Sequence, residues 1–265
     1  MLIGIMKLAI PFRSIRTNIA IAAVAAMLPF SHFFNDAHAS DTARRQAVVE
    51  LFTSQGCSSC PPADRLLGEL AANPDVIALT LPVDYWDYLG WKDTLARPAF
   101  SERQRGYAEA RNDKQVYTPQ VVVDGHMTCI GSRKEEVSDR IEKSLRSPLV
   151  ASLDVRISGS SLGISVSPAA GVAAGPMRAT VWLVPVRSRV TVDIGHGENG
   201  GKTSTYSNVA QSLIKIGEWN GGKADYVATI SRAGENKADG YVVLLQESGS
   251  PVPGSILAAA KVGSL

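Results

Sequence analysis

The chain of 265 residues is long enough for one large domain or two ordinary ones, and its 45% apolar and 20% charged residues are an ordinary globular composition. Its formal net charge of +2 lies in the N-terminal leader, where Lys7, Arg13 and Arg16 outweigh Asp36. The rest is formally neutral and shows no basic stripe, which argues against nucleic acid as a partner. With 3 cysteines, an odd and small number, the chain is no disulfide scaffold, so a close pair plus one leftover suggests chemistry rather than stapling.

Behind the basic leader come the apolar run Ile19 to Phe30 and then Ala37-His38-Ala39. A basic region, a short apolar stretch and an A-x-A site together are the pattern of a secretory signal peptide, here residues 1–39. The apolar run is shorter than the roughly 20 residues of a membrane span. The expected location is therefore the bacterial periplasm or the exterior, with no lipid span after cleavage.

Residues 40–147 are expected to form an α/β thioredoxin-like domain. Ala47 to Phe52 reads as a buried strand, and Thr53 to Gly56 as the turn that delivers the chain to Cys57. Pro61 and Pro62 suit the first turn of a helix whose stripe is Leu66, Leu67 and Leu70, ending near Ala72. Val76 to Val83 is a second strand, Asp84 to Arg97 an aromatic-rich irregular stretch, and Pro98 to Asn112 a helix with a mostly polar surface. Gln120 to Val123 and His126 to Ile130 flank Asp124-Gly125 as a hairpin, with Val123 opposite His126 and Gln120 opposite Cys129. Ser132 to Glu135 has the form of a capping box that opens a last helix, ending near Leu145. The order β-α-β-α-β-β-α is that of a thioredoxin-like layer.

After the linker Arg146-Ser147-Pro148, residues 148–265 turn to short runs rich in Val, Ser, Thr and Gly, expected to make a separate β-rich, sandwich-like domain. The strand-like runs are Val150 to Ile157, Leu162 to Val166, Ala179 to Val186, Tyr226 to Ile230, Tyr241 to Leu245 and Ile256 to Lys261. Ser207 to Gly217 alone carries a helical stripe, through Val209, Leu213 and Ile216.

The chemistry concentrates on Cys57-Ser58-Ser59-Cys60. A cysteine pair at a helix N-terminus lies beside unpaired N–H groups and the positive end of the helix dipole, which favour thiolate over thiol. Cys57 is therefore the expected nucleophile of disulfide exchange and Cys60 the resolving thiol. Thr118-Pro119, just before the hairpin, stands where thioredoxin-like proteins place a cis-proline facing the pair, against the plainer reading of a trans-proline at an edge strand, and Gly131 beyond the hairpin is assigned to the same substrate groove. Glu50, on the strand that feeds the loop, is a candidate proton acceptor for Cys60, against the plainer reading of a salt-bridged acid. Tyr85, Trp86, Tyr88 and Trp91 are candidates for a lid, or else satellite core. Cys129 reads as a core residue, with a third redox sulfur as the alternative. Cys57, Cys60, His126 and Cys129 have the ligand types of a structural zinc site, but His126 and Cys129 would face opposite sides of a strand, so no metal is expected. No cofactor is expected either.

The stretches VVELFTSQGCSSCPPAD (Val48 to Asp64), VDYWDYLGWKD (Val83 to Asp93), YTPQVVVDG (Tyr117 to Gly125) and GENGGKTSTYSNVAQSLIKIGEW (Gly197 to Trp219) resemble the uncharacterised secreted thioredoxin-like family catalogued as domain of unknown function 1223. The resemblance implies a thioredoxin-like domain, a β-rich domain and bacterial export, and it supplies no activity. The Ser58-Ser59 pair departs from the Gly-Pro and Pro-His pairs of well-known reductants and oxidants, which leaves the direction of electron flow open. Two functions are then in competition. One is a thiol-disulfide oxidoreductase acting on protein thiols and disulfides, with a membrane redox partner as a possible electron source. The other is a binding protein with a structural or vestigial disulfide, using the polar segment Gly195 to Asn208.

Overall fold

Strand β1 (Ala47–Thr53) is buried along its whole length, which explains its apolar run, interrupted by the acid Glu50. It pairs in parallel with β2 (Val76–Pro82) and antiparallel with β3 (Gln120–Val123), which turns into β4 (Met127–Ile130). This computed structural model describes residues 45–172, 177–230, 238–248 and 252–265, so the signal peptide expected over 1–39 lies outside the described residues. Alternation along the strands sends two sets of side chains to two faces. Val49, Leu51, Val121 and Val123 pack against α1 (Pro61–Ala71) and α3 (Lys134–Arg146). Val48, Phe52 and Val122 pack against Phe100 and Tyr107 of α2 (Pro98–Ala110).

The second half supplies β5 (Ala151–Ser158), β6 (Ser161–Pro168), β7 (Ala179–Asp193), β8 (Thr203–Ala210), β9 (Ile214–Trp219), β10 (Ala224–Thr229), β11 (Gly240–Ser248) and β12 (Pro253–Gly263). Five of these eight do not form a layer of their own. A single 9-stranded mixed sheet runs β12-β11-β7-β8-β2-β1-β3-β4, with β9 on the side of β7. The 15-residue β7 makes this possible: Ala179 to Val186 pairs with β11, and Val186 to Asp193 pairs with β8. Strand β8 then meets β2 through Thr80 and Val209, with the Thr80 hydroxyl donating to the Ser207 carbonyl at 2.6 Å and Asn208 Nδ2 to the Ala78 carbonyl at 3.1 Å. The remaining strands form a 3-stranded sheet, β10-β6-β5, whose Leu162, Ile164 and Val166 cover Val181, Leu183 and Val243.

The expected fold class is thus corrected. The molecule is mostly β, with one large mixed sheet and three α-helices among the described residues, in place of a thioredoxin-like α/β domain followed by a separate β-rich one. The described residues all belong to one compact unit. The reason is visible in α2, whose surface was expected to be largely polar. Its Phe100, Arg103, Gln104 and Tyr107 are buried instead, because the helix is packed on one side by β1 and on another by β12, where Pro253 stands against Gly106.

Three smaller expectations also change. Ser207 to Gly217 is not a helix: it belongs to β8 and β9, with Val209 in a small core beside Tyr206 and Val190. Helix α3 begins at Lys134 with Arg133 as its N-cap and no side-chain cap bond, so the Ser132 to Glu135 box is not formed. The hairpin has a three-residue connection, and Val123 pairs with Met127 rather than His126. Asp124 (φ 48) and Gly125 (φ 75) both take left-handed conformations, and Gly125 approaches the Gly254 carbonyl too closely for a side chain. A slip of one residue moves every side chain to the other face. Cys129 accordingly lies opposite Val121 in the core under α1 and α3, instead of opposite Gln120.

Candidate functional site

The loop after β1 is held by backbone and side chains together. Cys57 N–H donates to the Ser54 carbonyl at 3.1 Å and Cys60 N–H to the Cys57 carbonyl at 3.2 Å, which winds the chain into α1 with Cys60 as its N-cap. Cys57 and Cys60 form a disulfide with Cα atoms 5.4 Å apart. Both are buried, and Ser58 and Ser59 are the exposed part of the loop. Pro61 and Pro62 occupy the first helical turn, where their missing N–H groups cost nothing.

The other expected site residues gather against this helix start. The Thr118–Pro119 peptide bond is cis. Pro119 receives the Gly131 N–H on its carbonyl at 2.9 Å, and a side chain on Gly131 would strike Leu51, Ala63 of α1 and Pro119. Gly131 therefore lets the end of β4 close onto the first turn of α1. Trp86 forms the opposite wall. Its indole N–H donates to the Thr118 hydroxyl at 2.8 Å, and its Cβ lies against Gly56. Of the four expected lid aromatics, Trp86, Trp91 and Tyr85 are tied down by hydrogen bonds to Thr118, Gln55 and Gln104, while Tyr88 is exposed.

Glu50 is not placed beneath the pair. It shares the α2 face with Val48 and Phe52, and its carboxylate accepts from Arg103 Nε at 2.7 Å and from the Tyr107 hydroxyl at 2.6 Å. Arg103 also donates to Gln246 of β11, so Glu50 belongs to a buried network that joins the two halves of the chain. Leu51 takes the α1 face.

The carboxylate on the cysteine side is Asp64, one helical turn after Cys60, which sequence reasoning passed over. It accepts from the Thr53 hydroxyl at 2.7 Å, and burial pushes its pKa up to about 7. Asp64, Pro61, Arg65 and Lys202 line one cleft beside the helix start. The spacing Cys60-x-x-x-Asp64 on a helix was the available signal, since residues four apart share a face. Asp93 is a second buried acid; its carboxylate accepts the Gln55, Leu95 and Ala96 N–H groups, and burial raises its pKa. Cys129 is walled off in the core, where burial pushes its thiol up to about 11. Among the described residues, no group of three or more His, Cys, Asp or Glu is placed to hold a metal ion.

The second half reaches the loop through the β7–β8 connection. Asn199, 1% exposed, donates from Nδ2 to the carbonyls of Gln55 at 3.0 Å and Cys57 at 2.8 Å. Gly195 lies against the Trp91 ring with no room for a side chain. Within the polar segment Gly195 to Asn208, Asn199 thus joins the cysteine loop, and Gly195 and Gly197 pack against the neighbouring Trp91.

Among solved structures, a crystal structure of a protein from Agrobacterium tumefaciens is 33% identical, with a TM-score of 0.72, covering 82% of this chain and 94% of that one. HBP35 of Porphyromonas gingivalis is 10% identical, with a TM-score of 0.54, covering 83% of this chain and 75% of that one, and shows likeness of fold alone. No curated protein matches the sequence. The sequence profile described as "Protein of unknown function (DUF1223)" matches residues 48–246, and the chain belongs to that family.

Proposed function

We propose that this protein is an exported thiol-disulfide oxidoreductase that acts on protein thiols and disulfides through Cys57 and Cys60. The observation that carries the reading is the disulfide at the start of α1, beside Thr118, Pro119 and Gly131. In the oxidising direction a substrate thiolate attacks Cys57 Sγ, the bond between the two cysteines breaks, and Cys60 leaves and takes up a proton. A second substrate thiolate then attacks the mixed disulfide and releases Cys57 as thiolate. The substrate gains a disulfide and the protein gains two electrons; reduction runs through the same steps backwards. Asp64 is the group suited to exchange the Cys60 proton, because an acid with a pKa near 7 takes and gives protons with equal ease. The sulfur pair itself stores the electrons, so the reading needs no cofactor. An oxidising periplasm makes oxidation the default direction, and reduction requires a membrane partner that supplies electrons.

The burial of both cysteines supports the second reading, a binding protein with a structural disulfide. Exchange assays on the mature protein separate the two. Cys57→Ser is expected to abolish disulfide exchange with a reduced or oxidised model protein, and Cys60→Ser to accumulate mixed disulfides visible on non-reducing gels. If both variants match the parent on every substrate, or if the pair stays closed under strong reductant, the binding reading takes its place.

A further inference from the structure

A lysine and an asparagine on the β7–β8 connection have no part in exchange as described, yet they meet the cysteine loop directly. Both ends of the Asn199 amide are engaged. Its two N–H groups go to the carbonyls of Gln55 and Cys57, and its oxygen accepts from Lys202 Nζ at 3.0 Å. The Cys57 carbonyl also receives the Cys60 N–H, so this one oxygen ties both cysteines to the hairpin. Asn199 is buried while Lys202 is exposed at the cleft it shares with Asp64 and Arg65.

We propose that Lys202 and Asn199 are positioning residues that set the reduction potential of the Cys57–Cys60 pair, by fixing the carbonyls of the cysteine loop and directing positive charge toward it. The inference rests on the redox reading above. Its sign follows from electrostatics. Opening the disulfide creates a thiolate where there was no charge. The Lys202 ammonium polarises the Asn199 amide, and the amide N–H dipoles point into the loop, so the pair favours the state with the extra negative charge. The other charged groups about the loop are Asp93, which receives the Gln55 N–H, and Asp64 and Arg65 on α1. Asp93 and Asp64 oppose the thiolate when ionised and Arg65 assists it, so Lys202 acts against a partly acidic surround. Losing it stabilises the oxidised form and makes the pair more reducing.

The test is equilibrium titration of the mature protein against reduced and oxidised glutathione, together with the Cys57 thiolate pKa read from ultraviolet absorbance. Lys202→Met keeps the aliphatic stem and lies at the surface, so it tests the charge without disturbing the loop. It is expected to shift the exchange equilibrium several-fold toward disulfide and to raise the Cys57 pKa, with Lys202→Arg restoring both. Asn199→Ala is expected to shift the equilibrium further, by about tenfold, equivalent to about 30 mV for a two-electron couple. A purely structural role would lower the denaturation midpoint and leave the potential and the thiolate pKa alone. Parental values of both in Lys202→Met and Asn199→Ala overturn the inference while leaving the redox reading intact. A parent pair that never equilibrates with glutathione overturns the redox reading instead, and this inference with it.

Discussion

Glu50 and Thr53 both lie on β1, yet they lead to carboxylates in opposite settings. Glu50 is matched to a guanidinium and a phenol on the α2 side. Asp64, held by the Thr53 hydroxyl on the α1 side, has no cation at hydrogen-bond distance among its described partners. Burial is the largest influence on it, the Thr53 bond opposes burial, and the nearby Asp93 reinforces it, leaving a pKa of about 7 against an ordinary 3.8. Between those values the folded protein holds a proton that the unfolded chain has released, so stability falls as pH rises through the window. The contribution of Asp64 is fully present below about pH 4 and lost above about pH 7, with a difference on the order of 4 kcal/mol if the whole shift is expressed. Asp64→Asn in the oxidised protein is expected to flatten that slope, so that the variant gains on the parent between about pH 5 and about pH 8. Denaturant unfolding at the two pH values measures it, and parallel curves for parent and variant would contradict the assignment.

At the scale of single elements, the seam between β2 and β8 depends on side chains more than on a regular ladder. Asn208 adopts φ 48 there and donates to the Ala78 carbonyl. Asparagine tolerates the left-handed region better than residues other than glycine, and its amide is the bond to the neighbouring strand. Asn208→Ala is expected to cost roughly 2 kcal/mol, about half from backbone strain and half from the lost bond. Asn208→Gly relieves the strain but not the bond, so its denaturation midpoint should fall between those of parent and alanine variant. An alanine variant as stable as the parent would remove Asn208 from the seam. The same segment shows where sequence reasoning stops. Local patterns located β1, α1, β2, α2, β3 and α3 within a few residues, and the cysteine loop with them, because strand runs, prolines and turn residues act over short range. The stripe Val209, Leu213, Ile216 imitates a helix, but the register of β8 is set against Thr80 of β2, distant in sequence, and against Arg187 and Val190 of β7. Asn199 was hidden for the same reason. Nothing local distinguishes an asparagine in a glycine-rich turn that holds a cysteine loop 142 residues away from one that faces water.

For the whole molecule, the question is whether the first half can stand without the second. Val184, Val186, Val242, Leu244 and Ile256 from the second half share one core with Phe52, Ile77, Leu79, Leu81, Phe100 and Tyr107 from the first. Burying an aliphatic side chain of this size contributes roughly 1.5–3 kcal/mol. Those five side chains together contribute on the order of 10 kcal/mol, which is as large as the whole net stability of a typical domain. Truncation would also uncover Arg103 and Glu50 on the α2 face and leave Arg103 without Gln246, at the centre of a network that is now buried. The edge of β2 that now meets β8 would be open as well, a site for pairing with other chains. Residues 40–147 alone are therefore expected to lack a cooperative transition and to aggregate. Residues 40–265 together are expected to unfold in a single step, with near-ultraviolet circular dichroism and tryptophan fluorescence changing at the same denaturant concentration. Trp86 and Trp91 report the first half and Trp182 and Trp219 the second, so tryptophan replacements can assign the signal to either side. Two separated transitions, or a fragment that folds with a native-like near-ultraviolet spectrum, would mean that the shared core does not couple the halves.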